Sequence, residues 1–186
     1  MIISISGAPG AGKSTISKKL AEKLGWPRYY IGGLRRQKAQ ERGMTLAEYN
    51  KLGETDPSTD LEVDRYQEKL GREQDDFIIE GRTSWYFIPH SLKLYFDVEE
   101  REGARRIFRE LQDKNNRNEG EEPDSVDQVL KSNRERIRSD KKRYQKYFGI
   151  DADNKQNYDH IIDTTDLTPE QALEQAYQII KKHQKE

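Results

Sequence analysis

Apolar and polar positions along the chain repeat with two alternating periods. Short runs with a β-branched or aromatic bias, at 2–6, 77–80, 92–97 and 160–163, predict strands buried on both faces. A weaker run, Arg28-Tyr29-Tyr30-Ile31, predicts one more strand after the Gly25-Trp26-Pro27 break. Between the strands a helical period takes over. Ile16, Leu20, Ala21 and Leu24 share one face, with Lys18, Lys19, Glu22 and Lys23 opposite. A helix over about 34–42 ends at Gly43, and the capping box Thr45-Leu46-Ala47-Glu48, stapled by Met44 and Tyr49, opens another near 46–53. Asp56-Pro57 starts a third, carrying Leu61, Tyr66 and Leu70 and stopping at Gly71. Longer helices are expected over 99–112, over 125–148 with Val126, Val129, Leu130 and Ile137 as the buried stripe, and from Thr168-Pro169 onward with Leu173, Ala176, Tyr177 and Ile180 inside. The alternation of strand and helix predicts a doubly wound α/β domain with right-handed crossovers. The three short helices between the second and third strands read as a small insert over the sheet. The polar stretch 113–123, without periodicity, reads as a mobile loop.

Composition narrows this picture without changing it. A length of 186 residues suits one domain with room for an insert or a lid. Lys and Arg number 33 against 34 Asp and Glu, a net charge of −1 that argues against a general nucleic-acid binder. Cysteine is absent, which removes disulfides, a thiol nucleophile and cysteine metal sites. The chain enters a strand at once, with no secretory pattern and no apolar run of membrane-spanning length. The expectation is a soluble cytoplasmic protein, without membrane or nucleic-acid partners.

The chemistry concentrates after the first strand, in Gly7-Ala8-Pro9-Gly10-Ala11-Gly12-Lys13-Ser14. This is G-x-x-x-x-G-K-S, the phosphate-cradling P-loop, and its strand-before, helix-after setting separates it from a glycine-rich turn with a chance lysine. The glycines let the backbone aim N–H groups inward, and the helix N-terminus adds partial positive charge at the same point. Lys13 reaches β- and γ-phosphates, the Ser14 hydroxyl ligates Mg2+, and Thr15 is placed against the α-phosphate. Ligands of such sheets sit beyond the carboxyl ends of the strands. There stand Gly32-Gly33-Leu34-Arg35-Arg36 after the second strand and Gly81-Arg82 after the third. Arginines 101, 105, 106, 109, 134, 136, 138 and 143 follow the fourth. An arginine fork grips phosphate oxygens at two points and keeps its charge, which suits phosphoryl transfer between two phosphate-bearing partners. The alternative for any one arginine in 101–109 is a solvated salt bridge. Glu80, closing the third strand, either holds magnesium through water or bonds to backbone. His90, His160 and His183 have no metal spacing, and Trp85, Tyr86 and Phe87 read as core.

Taken together these segments resemble the nucleoside monophosphate kinases, specifically the short, archaeal-type cytidylate kinases. The resemblance rests on Gly32 to Arg36, on Gln40-Glu41-Arg42-Gly43-Met44-Thr45, on Asp64-Arg65 with Gln67, and on Ile79-Glu80-Gly81-Arg82. It also rests on Arg136-x-x-Ser139-Asp140-x-x-Arg143-Tyr144 followed by Tyr147-Phe148-Gly149-Ile150-Asp151, and it spans nearly the whole chain. It implies a three-layer P-loop fold with a five-stranded parallel sheet ordered 2-3-1-4-5. It implies a single domain with core segments 1–31, 72–110 and 125–186, an acceptor-binding insert at about 33–71 and a lid at about 111–124. It implies transfer of the ATP γ-phosphate to CMP or dCMP by a monomer with Mg2+. The implied catalytic residues are Lys13, Arg36, Arg82, Arg136 and Arg143. Residues 7–15 with Arg106 and Arg109 would bind ATP. Gly32, Arg36, Asp64, Arg65, Gly81, Arg82, Arg136, Asp140 and Arg143 would bind CMP. Other acceptors (AMP, UMP or a non-nucleotide) and a nucleotide-binding regulatory module with little turnover are the competing readings. Along the helix the i, i+4, i+7 spacing of Arg136, Asp140 and Arg143 predicts one stripe, with both arginines facing the cleft and Asp140 pairing with either.

Overall fold

The computed structural model describes residues 1–112 and 123–185, so most of the expected mobile loop and lid lies outside the described residues. The strands are β1 (Ile2–Gly7), β2 (Arg28–Tyr30), β3 (Phe77–Glu80), β4 (Leu92–Asp97) and β5 (His160–Asp163). They form one parallel sheet in the order β2-β3-β1-β4-β5. The helices are α1 (Lys13–Leu24), α2 (Ile31–Glu41), α3 (Leu46–Gly53), α4 (Ser58–Glu73), α5 (Ser84–Phe87), α6 (Glu100–Gln112), α7 (Val126–Phe148) and α8 (Pro169–His183). They cover both faces.

The alternation of side chains along a strand divides the core. Ile3 and Ile5 of β1 pack with Ile16 and Leu20 of α1 and with Ala176 and Ile180 of α8. Ile2 points the other way, with Phe77 and Ile79, onto Val63 and Leu70 of α4 and onto Ile88. A third cluster, Ala104, Ile107 and Val129, joins α6 to α7. Each of these buried Ile, Leu, Val and Phe side chains contributes about 1.5–3 kcal/mol.

The elements fall where periodicity places them, with instructive exceptions. Ile31 opens α2 instead of closing β2, whose last ladder pair is Tyr30 with Glu80. Gly71 does not stop α4, because the helix runs on to Glu73. A Cβ at Gly71 would lie 2.9 Å from Ile88 Cγ1, so glycine there serves close packing. Trp85, Tyr86 and Phe87 lie in the short helix α5, where Phe87 meets Phe148 edge-on and Tyr86 and Trp85 meet Phe148 and Tyr158 at a tilt; Tyr86 is exposed, so this is a rim cluster and not core.

The largest departure concerns α4. Leu61 and Tyr66, two of the three apolar positions read along this helix, are exposed, and the buried face carries Asp60, Val63, Asp64, Gln67 and Leu70. On α7, likewise, Ile137 is half-buried, while Val129, Asp140, Arg143 and Tyr144 are buried. Two helices bury charge against each other at one place, and the reason lies in the site.

Candidate active site

The P-loop is held by close backbone packing. Gly7 has φ +144, and a Cβ there would sit 2.0 Å from the Phe96 carbonyl oxygen; Gly10, at φ +79, would meet Gly103 of α6 at 2.2 Å. Only glycine tolerates both the positive φ and the approach. Residues 9–15 line a cavity of about 480 Å3 at the carboxyl ends of β1, β2 and β3, while Gly7 and Ala8 do not line it. Ser14, Thr15 and Lys13 stand in the first turn of α1, whose dipole points at the loop.

Inside this cleft Lys13 Nζ donates to the Ala8 carbonyl at 2.6 Å. Burial, with the charges of Arg82 and Arg136 nearby, lowers its pKa to about 7. The Ser14 hydroxyl donates to Glu80 Oε1 at 2.7 Å. The other oxygen of Glu80 accepts from Ser17 at 2.8 Å and from Arg28 Nη2 at 2.5 Å. Glu80 is therefore held by side chains, not by backbone. A hydroxyl beside a carboxylate is a donor set that suits Mg2+, which takes oxygen ligands and completes its shell with phosphate and water. Among the described residues no group of three or more His, Asp or Glu is placed to hold a metal unaided.

Arg36, Arg82 and Arg136 all line the cleft, as do Gly32, Gly81 and Asp64. Arg36 Nη1 donates to Tyr30 Oη at 2.5 Å. Arg82 Nε lies 3.1 Å from Asp140 Oδ2, and its Nη1 lies 3.9 Å from Asp153. Burial alone would raise the pKa of Asp140, but Arg82, Arg143 and Arg136 override it and hold the carboxyl below its ordinary range. At the other end of the cleft Arg106 donates from Nη2 to the Thr164 and Thr165 carbonyls, both at 2.8 Å, and from Nε to Glu102. Arg109 lines the same end.

Two expected site residues lie elsewhere. Arg65 is exposed and lines no part of the cleft, because one residue past Asp64 turns its side chain about 100° round α4. Arg143 does not face the cleft either: its side chain is 0% exposed. Its Nη1 bridges both oxygens of Asp60, at 2.7 and 2.9 Å, and its Nη2 bonds Asp140. Asp60 in turn accepts from Arg35, whose Nε bonds Asn50 Oδ1 at 2.8 Å. A buried chain of alternating charge thus runs Arg35–Asp60–Arg143–Asp140–Arg82, from α2 across α4 and α7 to the turn after β3. This chain explains the polar face of α4.

Asn50 and Asp60 line the cleft and were not anticipated; Arg35 and Tyr144, which stand in segments read from the sequence but were given no role of their own, line it too. The available signal was the spacing of Asp60, Val63, Asp64 and Gln67, which puts acids on the same face as an apolar residue. Burial, with Asp60 close by, pushes Asp64 up to about 7, and its Oδ2 is buried without a hydrogen-bond partner.

A P-loop at a sheet's carboxyl edge, facing arginines from four other segments, defines an ATP-dependent phosphotransferase of the P-loop kinase class. In fold the chain resembles a shikimate kinase from Bacteroides thetaiotaomicron, at TM-score 0.63 and 14% identity over 97% of this chain and 98% of that one. It also resembles an uncharacterized protein from Eubacterium ventriosum, at TM-score 0.71 and 16% identity over 97% and 98%. At those identities the likeness concerns fold alone. The model of the cytidylate kinase-like family matches residues 2–166. A cytidylate kinase of Pyrococcus furiosus is 36% identical over 171 residues, 91% of this chain and 83% of its own. Another, of Methanothermobacter thermautotrophicus, is 36% identical over 169 residues, covering 88% and 95%. The chain belongs to the cytidylate kinase-like family. No helix among its described residues is long and apolar enough to cross a membrane.

Proposed function

We propose that the protein transfers the γ-phosphoryl group of ATP to CMP or dCMP, giving CDP or dCDP. The observation that carries this reading is the convergence of Lys13, Arg36, Arg82 and Arg136 on one cleft. Two phosphate-bearing substrates must meet there, and three fixed guanidinium charges with a lysine that regains its charge beside phosphate suit their combined charge. Backbone N–H groups of Gly10, Gly12, Lys13, Ser14 and Thr15 cradle the donor phosphates, with Arg106 and Arg109 on the donor side. Arg36 and Arg82 grip the acceptor phosphate, and Asp64, Asp140, Gly32 and Gly81 lie along the acceptor's path. Ser14 and Glu80 are the residues that would hold Mg2+, which when bound offsets charge on the donor phosphates.

The acceptor phosphate is already ionised, so no side-chain base is required. One of its oxygens attacks the γ-phosphorus in line, the bond to the bridging oxygen breaks, and ADP leaves with that electron pair. Lys13 and Arg136 stabilise charge on the phosphoryl group in transit. The insert at about 33–71, built of α2, α3 and α4, and a lid at about 111–124 would close to exclude water as a competing acceptor. A monomer is the working unit in this reading. A coupled ADP-release assay with CMP, dCMP, UMP, AMP and GMP tests the reading. CMP or dCMP should be used best. If AMP is best, or none of the five turns over, the reading is wrong.

A further inference from the structure

Strand β2 has three residues, and its first and last, Arg28 and Tyr30, fall on one face because side chains alternate. Arg28 reaches Glu80 and, from Nε, the Ser17 hydroxyl at 2.7 Å. Its guanidinium carbon also lies 5.0 Å from the Tyr30 ring centre. Tyr30 stands on the cleft wall, 36% exposed. Its hydroxyl oxygen accepts from Arg36 Nη1 at 2.5 Å, and the Arg36 guanidinium carbon is 5.9 Å from the same ring. The ring lies on the first turn of α2: a Cβ at Gly32 would come within 3.0 Å of it, and one at Gly33 within 2.7 Å. The glycine pair therefore makes room for an aromatic ring, and the ring lies between Arg28, which is bound to Glu80, and Arg36.

We infer that Tyr30 is a positioning residue that orients the Arg36 guanidinium toward the acceptor phosphate. This inference rests on the reading of Arg36 as an acceptor-phosphate ligand. Arg36 sits one turn into α2 on a long side chain with several rotamers, and its hydrogen bonds to Tyr30 Oη and, at 3.4 Å, to the Gly32 carbonyl leave it fewer of them to lose when the phosphate arrives. The glycines bring the ring close enough to set that bond. Tyr30 itself contacts no reacting atom.

Tyr30→Phe removes only the hydroxyl and keeps the ring on Gly32 and Gly33. Steady-state constants for CMP and for ATP, with melting temperatures, are measured for the parent, Tyr30→Phe, Arg36→Ala and the double variant. The expected result is a CMP KM raised about tenfold in Tyr30→Phe, in line with the range for a hydrogen bond to a charged group. Its kcat should stay within about twofold, its ATP KM unchanged and its melting temperature within about 2 °C of the parent's. In the Arg36→Ala background, Tyr30→Phe should change nothing further, because the group it orients is gone. An unchanged CMP KM in Tyr30→Phe, alongside a raised one in Arg36→Ala, overturns the inference and leaves Arg36 as the ligand. The same tenfold effect in both backgrounds overturns it too, since Tyr30 would then act without Arg36. An unchanged CMP KM in Arg36→Ala removes the reading of Arg36, and the inference with it.

Discussion

Arg143→Ala is the perturbation that most sharply separates this structure from a reading of its sequence. The wild-type guanidinium is fully buried and joins Asp60 of α4 to Asp140 of α7. Its removal leaves two buried carboxylates, each 8% exposed or less, with one arginine apiece: Arg35 for Asp60 and Arg82 for Asp140. Removing one partner of a buried ion pair costs about 3–5 kcal/mol, because a charge stays behind without its counter-ion. Here each acid keeps one counter-ion, which argues for the lower end, while the void left by the side chain adds to the loss. A loss of about 3 kcal/mol at roughly 2–4 °C per kcal/mol for a chain of this size lowers the melting temperature by about 6–12 °C. Thermal and urea melts measure the loss, and kcat is read well below the variant's own melting temperature. Turnover there should stay within about tenfold of the parent, since Arg143 lines no part of the cleft. A variant that melts within about 2 °C of the parent while turnover falls a thousandfold would refute this reasoning, and would mean that Arg143 faces the transferring phosphoryl group.

Arg136→Ala should show the opposite pattern: kcat down by roughly a hundred- to a thousandfold with little change in melting temperature, both read in the same assays. Lys13 is lowered to about 7 by burial and neighbouring cations, and bound phosphates should restore its charge. ATP binding at pH 8, followed calorimetrically in buffers of different ionisation heat, should therefore take up close to one proton, and affinity should fall as pH rises above about 7. Lys13→Met should abolish the uptake and reduce turnover by at least a hundredfold. Asp64 has a folded pKa raised to about 7, so its stabilising contribution is full below the unfolded value of 3.8 and is lost as pH rises through 7. Asp64→Asn should accordingly gain about 1–3 kcal/mol over the parent at pH 8 compared with pH 5, measured by urea unfolding at the two pH values.

The sequence by itself determined the sheet, its helices and the phosphate loop. Strand runs such as Phe77 to Glu80 are buried on both faces whatever surrounds them, and the loop's glycines, Lys13 and Ser14 are fixed by covalent spacing. Arg82 was legible for a related reason: a residue just past a strand's carboxyl end has little choice of where to be, and Arg36, one turn into the helix that follows β2 directly, stays near that same edge. Helical residues have more. Arg136 and Arg143 are seven apart, so they differ by only about 20° round α7, and periodicity puts both on one stripe. They also differ by about 10.5 Å along the axis, and what each meets at its own level is a tertiary fact. At the level of Arg136 the stripe opens into the cleft. At the level of Arg143 it meets α4, where Asp60 closes over it. The same contact turns the charged side of α4 inward and leaves Leu61 and Tyr66 in solvent, against their hydropathy. Hydrophobic pattern locates a buried face only when apolar burial is what holds it; here paired charges hold it, and the pairs come from segments 25 and 83 residues apart.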